Sequence, residues 1–262
     1  MFKIFCPSYR RADKVLTHKY IDSVVYVVAE SEAEKYISAG LNVWVVPDSA
    51  QGNLCRVRNY ILDHADVRKI LILDDDLRSI HRWVDRKGKR LKGSEAVEMI
   101  ESGFNIADEM GVKFWGLNCN DDKGAYREYT PFSFSAYIGG PFQAHIENPC
   151  RYDERLPLKE DYDMTLQVLN RFRKILRFNF LYYVCDQHGL PGGCATYRTL
   201  SREKKQFELL EKKWGPEIVK RDSGATKKMY AKRKNRYDIN PIIKIFVYIL
   251  KDKISQKISS IK

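Results

Sequence analysis

The sequence of 262 residues lacks any apolar run close to the roughly 18 residues that a membrane-spanning helix needs. The short apolar stretch at residues 2–7 includes a lysine and is too brief for a signal peptide. The six cysteines are widely spaced and form no C-x-x-C pair, which argues against both a zinc site and a disulfide framework. We therefore expect reduced thiols and a cytoplasmic protein.

Charge is unevenly distributed along the chain, whose net charge is +12. Residues 201–262 contain 18 Lys and Arg against 7 Asp and Glu, whereas residues 1–200 contain 28 against 27. A block this basic favours an anionic partner, either nucleic acid or a membrane surface. Apolar residues recur at helical spacing from Pro241 to Lys262, which predicts a helix that docks on the protein or lies on a membrane.

Strand and helix signals alternate through the first 200 residues. Apolar runs predict strands at residues 3–7, 23–28, 42–46, 70–73, 113–117 and 176–184. Helical signals occur at residues 32–39, 53–65, 94–110, 161–172 and 201–214. The alternation predicts an α/β domain at residues 1–200, with a mainly parallel sheet flanked by helices, and a basic helical extension at residues 201–262.

The strongest local signal is an apolar run that ends abruptly in three aspartates, Asp74, Asp75 and Asp76. The run predicts a buried strand, and in an extended segment Asp74 and Asp76 point to one face while Asp75 points to the other. Adjacent carboxylates repel one another unless a cation offsets them. Magnesium or manganese, held by one or two carboxylates and substrate phosphates, would do so. The alternative is an acidic turn with solvated side chains.

Four further segments accompany the aspartates. Residues 7–11 and 29–30 end the first two strands, while residues 52–59 and 159–163 each open a helix. Residues at successive strand ends converge on one crevice of such a sheet. The order of these parts resembles the GT-A class of nucleotide-sugar glycosyltransferases, and within it the TET-associated glycosyltransferases of bacteriophages, which decorate modified DNA bases. The resemblance implies a Rossmann-like half that binds the nucleotide and a D-x-D motif that holds a metal on the diphosphate.

Site residues follow from this resemblance. Those implied at the nucleotide are Ser8, Tyr9, Arg10, Glu30, Arg56, Asn59, Asp74 and Asp75. The implied metal ligands are Asp76, Asp74 and His188, the histidine coming after the last core strand. Arg56 and Asn59 are three residues apart, so both would reach the crevice from one helix face. Surface salt bridging is the alternative for Arg56 and Arg58.

The acidic helix start supplies the implied catalytic base, with Asp161 favoured over Glu160 and Asp163. Deprotonation of an acceptor hydroxyl requires such a base close to it. Because acidic residues also favour helix N-termini, a purely structural role is the alternative. A retaining enzyme would need no strict base.

We therefore expect a metal-dependent hexosyl- or pentosyltransferase that uses Mn²⁺ or Mg²⁺ and a nucleotide sugar, favoured as a UDP-sugar. The favoured acceptors are hydroxymethylpyrimidine bases in phage DNA, which would place the protein in the host cytoplasm. The basic C-terminal region would contact DNA, and residues 86–92 and 221–236 are expected to meet phosphate. One alternative is a membrane-associated glycan or lipid acceptor. Another is a nucleotidyltransferase, although the sequence lacks the usual glycine-rich, lysine-containing phosphate loop near its N-terminus.

Overall fold

The structure, a computed structural model, describes residues 1–124, 126–186, 191–221 and 240–244. The chain divides into two units, Met1–Thr196 and Tyr197–Lys262. The domain boundary expected between residues 200 and 201 stays a prediction. Within the described ranges, no helix has both the length and the apolar character needed to cross a bilayer.

In the described part of the first unit, ten strands form one sheet. The strands are β1 (Lys3–Pro7), β2 (Val24–Ala29), β3 (Val43–Val46), β4 (Lys69–Leu73), β5 (Leu77–Val84), β6 (Lys87–Arg90), β7 (Phe114–Asn118), β8 (Phe132–Ser133), β9 (Phe142–Ile146) and β10 (Leu176–Cys185). The helices of this unit are α1 (Glu30–Ser38), α2 (Leu54–His64), α3 (Gly93–Glu109) and α4 (Glu160–Phe172). The α/β prediction of a Rossmann-like sheet flanked by helices is confirmed.

Strand order explains where a crevice can form. The order is β3-β2-β1-β4-β9-β7-β10-β5-β6, with β8 paired to β10. Strands β3, β2, β1 and β4 run parallel, so their carboxyl ends meet at one edge of the sheet. Strand β9 runs antiparallel to both β4 and β7. The parallel half therefore provides the edge at which open α/β folds bind ligands, and the antiparallel strands continue the sheet beside it.

The core lies largely under α3 and around one tryptophan. Trp115 of β7 is fully buried, and its ring lies 5.1 Å from the ring of Phe104, 5.4 Å from that of Phe142 and 5.3 Å from that of Phe178. Such aromatic clusters bury a large apolar area. They fix the middle of the sheet, from which β4 and β9 project toward the crevice.

The second unit is described by its helix and two strands. These are α5 (Leu200–Trp214), β11 (Val219–Arg221) and β12 (Pro241–Ile243), the strands being antiparallel partners. Helix α5 forms where the sequence predicts it, and the Thr199 side chain accepts from the Arg202 amide at 3.2 Å as its cap.

The prediction of a helix from Pro241 to Lys262 is wrong at its beginning, because Pro241–Ile243 is a strand. Ladder pairing of Val219 with Ile243 supplies backbone hydrogen bonds that a helix start would leave open. Proline is tolerated as the first residue of a strand. The extension therefore contains a strand pair as well as a helix, and residues 245–262 lie outside the described residues.

Candidate active site

Backbone contacts hold the three aspartates, hereafter the aspartate triplet (Asp74–Asp76), at the carboxyl end of β4. The Asp74 amide donates to the Pro141 carbonyl at 3.2 Å, and the Leu16 amide donates to the Asp75 carbonyl at 2.8 Å. The Thr17 hydroxyl donates to the Asp74 carbonyl at 2.6 Å. These bonds satisfy main-chain groups that leave the ladder, so the triplet is a defined turn rather than a solvated loop.

Asp74 is paired with an arginine that lies fully buried in α2. The Nη2 atom of Arg58 donates to Asp74 Oδ1 at 2.9 Å and to the Gly140 carbonyl at 3.0 Å. The Nη1 atom of Arg58 donates to Gln143 Oε1 at 3.0 Å and to Glu160 Oε1 at 3.2 Å. Arg58 thus joins the triplet to the start of α4 and to β9. The Asp74 side chain remains 30% exposed and faces the crevice edge.

Asp75 belongs to an internal network. Its Oδ2 atom accepts from the Ser8 hydroxyl at 2.6 Å, and its Oδ1 atom is paired with the Arg11 guanidinium. Burial raises the pKa of Asp75, while Arg11 and Ser8 act in the opposite direction. Ser8 also lies 2.8 Å from the Tyr36 hydroxyl. Ser8 and Asp75, both implied at the nucleotide, are therefore bonded to each other beneath the crevice.

Asp76 differs from its neighbours because one of its oxygens lacks a partner. Its Oδ1 atom is buried and makes no hydrogen bond within the described residues, and its Oδ2 atom lies 3.9 Å from Arg11. Burial, together with the charges of Asp74 and Asp75, raises the pKa of Asp76 to about 7. A buried carboxylate oxygen with no donor is what a divalent cation would satisfy.

A metal ion at this position would rely on few protein ligands. Within the described residues, no group of three or more His, Cys, Asp or Glu side chains is arranged to hold one. Magnesium and manganese sites that use one or two carboxylates plus substrate phosphates need no such cage. Asp76, with the exposed part of Asp74, therefore fits a cation that arrives with a diphosphate.

His188, the third implied ligand, lies outside the described residues. The chain on both sides of it is bonded at the triplet. The Asp186 amide donates to the Asp76 carbonyl at 3.0 Å, and Arg11 donates to the carbonyls of Pro191 at 3.1 Å and Gly192 at 3.2 Å. Gly192 adopts φ +95°, and a Cβ there would lie 2.8 Å from the Arg11 side chain, so glycine is required.

The start of α4 places two carboxylates beside Arg58. The Asp161 Oδ2 atom accepts from the Tyr137 hydroxyl and from the Gly140 amide at 3.1 Å. Burial and the charge of Asp161 raise the pKa of Glu160 to about 8, outweighing the opposite effect of Arg58. A Cβ on Gly140 would lie 3.3 Å from Glu160 Oε1, so this glycine lets the loop approach both carboxylates. Asp161 is half-buried.

Asp163 is not brought to this group. Its side chain is fully buried and accepts from Gln167 Nε2 at 2.7 Å, one turn along the same helix. An acceptor hydroxyl cannot approach a carboxylate in that position. Asp163 therefore has the purely structural role considered as the alternative, that of an acidic residue in the first turn of a helix.

Tyr9, Arg10 and Glu30 lie where the first two parallel strands end. Arg10 is exposed with φ 56°, and its guanidinium lies 4.9 Å from the centre of the Tyr9 ring. Its amide donates to Glu32 Oε2 at 2.9 Å, which fixes the loop against α1. Glu30 is exposed as the first residue of α1. All three residues therefore lie at the edge where the parallel strands end.

Arg56 and Asn59 are engaged elsewhere, contrary to the expectation that both reach the crevice. Arg56 is exposed and pairs with Glu154 at 3.1 Å, which is the surface salt bridge considered as its alternative. The Asn59 amide bonds to the backbone of Tyr152 at both ends, donating at 2.9 Å and accepting at 2.7 Å. Both side chains therefore contact the segment before α4, at Tyr152 and Glu154, and not the triplet.

Sequence reasoning missed two residues that organise the site. Arg11 binds Asp75 and the loop at residues 191–192, although Arg10 is the arginine that the resemblance selects. Tyr137 donates to Asp161 and stacks on Tyr162, with ring centres 4.2 Å apart. The doublet of arginines after β1 was the available signal for Arg11. The aromatic segment before Gly139 gave no sign of which ring would carry a polar contact.

Comparisons with known proteins identify one family. The sequence model of the TET-Associated Glycosyltransferase family matches residues 2–193. A search of curated proteins found no match. Among solved structures, S. aureus TarS 1-349 is similar with 15% identity and a TM-score of 0.47, over 82% of this chain and 73% of that chain. A second similar structure is glucosyl-3-phosphoglycerate synthase from Mycobacterium tuberculosis, in complex with Mn²⁺, UDP-glucose and phosphoglyceric acid. It has 11% identity and a TM-score of 0.49, over 86% of this chain and 85% of that chain. The family match spans the segments that carry the triplet, Arg58 and Asp161.

Proposed function

Because the chain belongs to the TET-associated glycosyltransferase family, we propose that it transfers a sugar from a UDP-sugar to the hydroxyl group of hydroxymethylpyrimidine bases in phage DNA. The observation that carries this proposal is Arg58, which joins Asp74 to Glu160 and so links the segments that hold Asp76 and Asp161. One carboxylate there has an unpartnered buried oxygen and the other is held by two donors. The family assignment leaves the nucleotidyltransferase alternative without support.

The nucleotide of the donor is proposed to lie across the carboxyl ends of β1 and β2. Tyr9 and Arg10 would follow the nucleoside, and Glu30 would lie near the base or ribose. These side chains sit at the ends of adjacent parallel strands, which is where open α/β sheets bind nucleotides. Arg56 and Asn59 are left out of the proposal because their polar atoms are bonded away from this edge.

A divalent cation, Mn²⁺ or Mg²⁺, is proposed to be held by Asp76, with Asp74 and His188 as its other protein ligands. When bound, it would supply positive charge to the diphosphate that leaves as the sugar is transferred. Asp76 contributes the oxygen for which the described residues provide no donor. Arg11 and Arg58 neutralise the two neighbouring aspartates, so the triplet is compact before any ligand arrives.

Asp161 is proposed as the base that accepts the proton of the acceptor hydroxyl. Tyr137 and Gly140 hold one of its oxygens, so the carboxylate has a fixed direction. Glu160 lies directly behind it against Arg58 and is proposed to support this arrangement rather than to take the proton. Asp163 is excluded as the base because its carboxylate is fully buried.

DNA is proposed to be bound in part by the basic C-terminal region, where phosphate contacts would be independent of sequence. Chemistry on a paired base would require the base to be flipped out of the duplex, at about a few kcal/mol. The cytoplasm of the host stays the predicted location, on the evidence of the scattered cysteines.

The test is incubation of the purified protein with a panel of UDP-sugars, Mn²⁺ and DNA that contains hydroxymethylcytosine or hydroxymethyluracil. Digested nucleosides are analysed by mass spectrometry, and unmodified DNA is the control. We expect one hydroxymethylated nucleoside to gain the mass of one sugar, and Asp161→Asn to abolish that gain. Transfer to neither base with any donor of the panel would overturn the proposed acceptor.

A further inference from the structure

A hairpin at the edge of the sheet, which the chain reaches from the triplet along β5, concentrates positive charge. Strands β5 and β6 pair with Val84 opposite Lys87 and Arg82 opposite Lys89. We refer to residues 82–92 as the basic hairpin. Its cations are Arg82, Arg86, Lys87, Lys89, Arg90 and Lys92, and Asp85 is its single Asp or Glu residue. Residues Lys87–Arg90 are all exposed, so the hairpin is a surface feature.

The cations of this hairpin make no ion pair with any carboxylate in the part of the chain that the structure describes. Arginines elsewhere on the surface behave differently. Those paired with an acidic side chain include Arg56, Arg68, Arg78, Arg151 and Arg155. In the hairpin, Arg82 and Arg90 instead lie over the rings of Phe180 at 5.8 Å and Tyr20 at 4.7 Å. Glu95 and Glu98 line the same cavity as Arg82 and Lys89 without pairing with them, and the charges of Arg86 and Lys87 at the turn are exposed to an anionic partner.

The tip of the hairpin holds an arginine where glycine would be easier to accommodate. Asp85 and Arg86 form a two-residue turn with φ 48° and φ 59°. Turns of this kind favour glycine at the second position, and an L-residue in the left-handed region costs roughly 1–2 kcal/mol. Stability alone does not account for Arg86. Arg86 is exposed at the turn, which suits contact with a ligand in solvent.

The hairpin is also connected to the triplet through β5. Strand β5 begins at Leu77, the residue after Asp76, and its eight residues end at Val84. At about 3.3 Å per residue, the strand spans roughly 26 Å from the triplet to the tip. A DNA duplex of that length carries about 15 phosphate charges, since one occurs per about 1.7 Å of its axis. On one face of the β5–β6 pair, a duplex lying along the strands would meet Arg82, Lys87 and Lys89, together with Arg86 at the turn, and extend toward the triplet.

From these observations we propose that the basic hairpin binds the phosphate backbone of the acceptor DNA and directs the target base to the triplet. This inference rests on the proposed function, since it names the surface that holds the proposed acceptor. An anionic membrane is the less favoured partner, because interfacial binding needs an apolar face beside the charges. Among the exposed hairpin residues Val84 alone has a large apolar side chain.

The test compares two triple variants that remove the same charge. The hairpin variant is Arg86→Gly with Lys87→Ala and Lys89→Ala. The control is Arg68→Ala with Lys113→Ala and Lys174→Ala, whose residues precede β4, β7 and β10 at the opposite edge of the sheet. Affinity for a hydroxymethylated duplex is measured between 50 and 200 mM salt, and thermal stabilisation by UDP with Mn²⁺ reports on the donor site.

For the hairpin variant, we expect the slope of log affinity against log salt to fall by about 3, or about 1 for each cation removed. The hairpin variant should therefore lose roughly 40-fold less affinity than the wild type when salt is raised from 50 to 200 mM. The rate of sugar transfer to duplex DNA should also fall in the hairpin variant. Its thermal stabilisation by UDP and Mn²⁺ should equal that of the wild type, and the control should match the wild type in every measurement. Arg86→Gly alone should lower the slope by about 1 without lowering the melting temperature.

Wild-type binding and transfer in the hairpin variant would overturn the inference, as would an equal loss in the control. Loss of binding to anionic vesicles with unchanged binding to DNA would assign the hairpin to a membrane instead. If the proposed function itself were wrong, the wild type would modify no DNA at all, which separates that outcome from failure of the inference about the hairpin.

Discussion

Replacing Arg58 with methionine removes a fully buried guanidinium that donates hydrogen bonds to four acceptors. Methionine keeps most of the volume, so the change acts mainly through charge and hydrogen bonding. Breaking a buried ion pair by removing one partner costs about 3–5 kcal/mol. Asp74 is partly exposed and can regain water, whereas Glu160 is buried and cannot. The cost therefore falls mainly on Glu160.

The loss of stability in Arg58→Met should depend on pH because of Glu160. The pKa of Glu160 is already raised to about 8 with Arg58 present, and removal of the arginine raises it further. Near pH 6 Glu160 is protonated with or without Arg58, whereas above pH 8 the wild type can ionise it against the arginine and the variant cannot, so the stabilities of the two proteins diverge as pH rises. We expect a decrease in the free energy of unfolding of about 3–5 kcal/mol at pH 8.5, or roughly 10 °C in melting temperature, and a smaller decrease at pH 6.

Urea unfolding at pH 6 and pH 8.5, followed by circular dichroism, measures this difference. Arg58→Lys is the matched control, since a point charge can reach one or two of the four acceptors and should recover part of the loss. Transfer assays should show a lower kcat in both variants, because Arg58 joins Asp74 to the start of α4. A loss below about 1 kcal/mol at both pH values would contradict this prediction, since it would mean that the four contacts contribute no net stability.

Three further predictions concern the start of α4. Because native Glu160 has a raised pKa, the folded state keeps a proton that the unfolded state releases between about pH 4.5 and 8, so stability falls as pH rises through that window. Glu160→Gln cannot ionise and should lose less stability than the wild type between pH 5 and 8 in urea unfolding; an identical loss in both proteins would contradict this. Tyr137→Phe removes a donor to Asp161 and should lower kcat roughly tenfold with little change in the KM for the donor, measured by steady-state kinetics. Asp161→Asn should lower kcat by about 10²–10⁴-fold, and an effect of Tyr137→Phe that persists in the Asp161→Asn background would show that Tyr137 acts independently.

The parts of the fold that the sequence predicts are those with continuous local signals. Strands β1, β2 and β4 are uninterrupted apolar runs that need no knowledge of their neighbours. The alternation of a strand also predicts that Asp74 and Asp75 face apart, and the structure gives them separate partners in Arg58 and Arg11. Helix α4 begins with acidic residues, as expected from the macrodipole.

Strands β5 and β9 are missed because polar residues interrupt their apolar pattern. In β9, Gln143 and His145 are buried since each has a tertiary partner: Arg58 donates to Gln143, and His145 lies 3.0 Å from the Tyr152 hydroxyl. Those partners are distant in sequence, so no local pattern reveals that burial is tolerated. Arg58 itself looks like a surface residue until Gln143, Glu160 and Asp74 surround it.

The measurement that tests the account most directly is calorimetric titration of Mn²⁺, in the presence of UDP, into the wild type and Asp76→Asn. Asp66→Asn, at an exposed aspartate near the start of β4, is the control. We predict one Mn²⁺ bound by the wild type and by the control, and none by Asp76→Asn. Without metal, Asp76→Asn should melt no lower than the wild type, because it removes a buried charge that lacks a donor. Binding of Mn²⁺ by Asp76→Asn with wild-type affinity and stoichiometry would contradict the assignment of the triplet as the metal site.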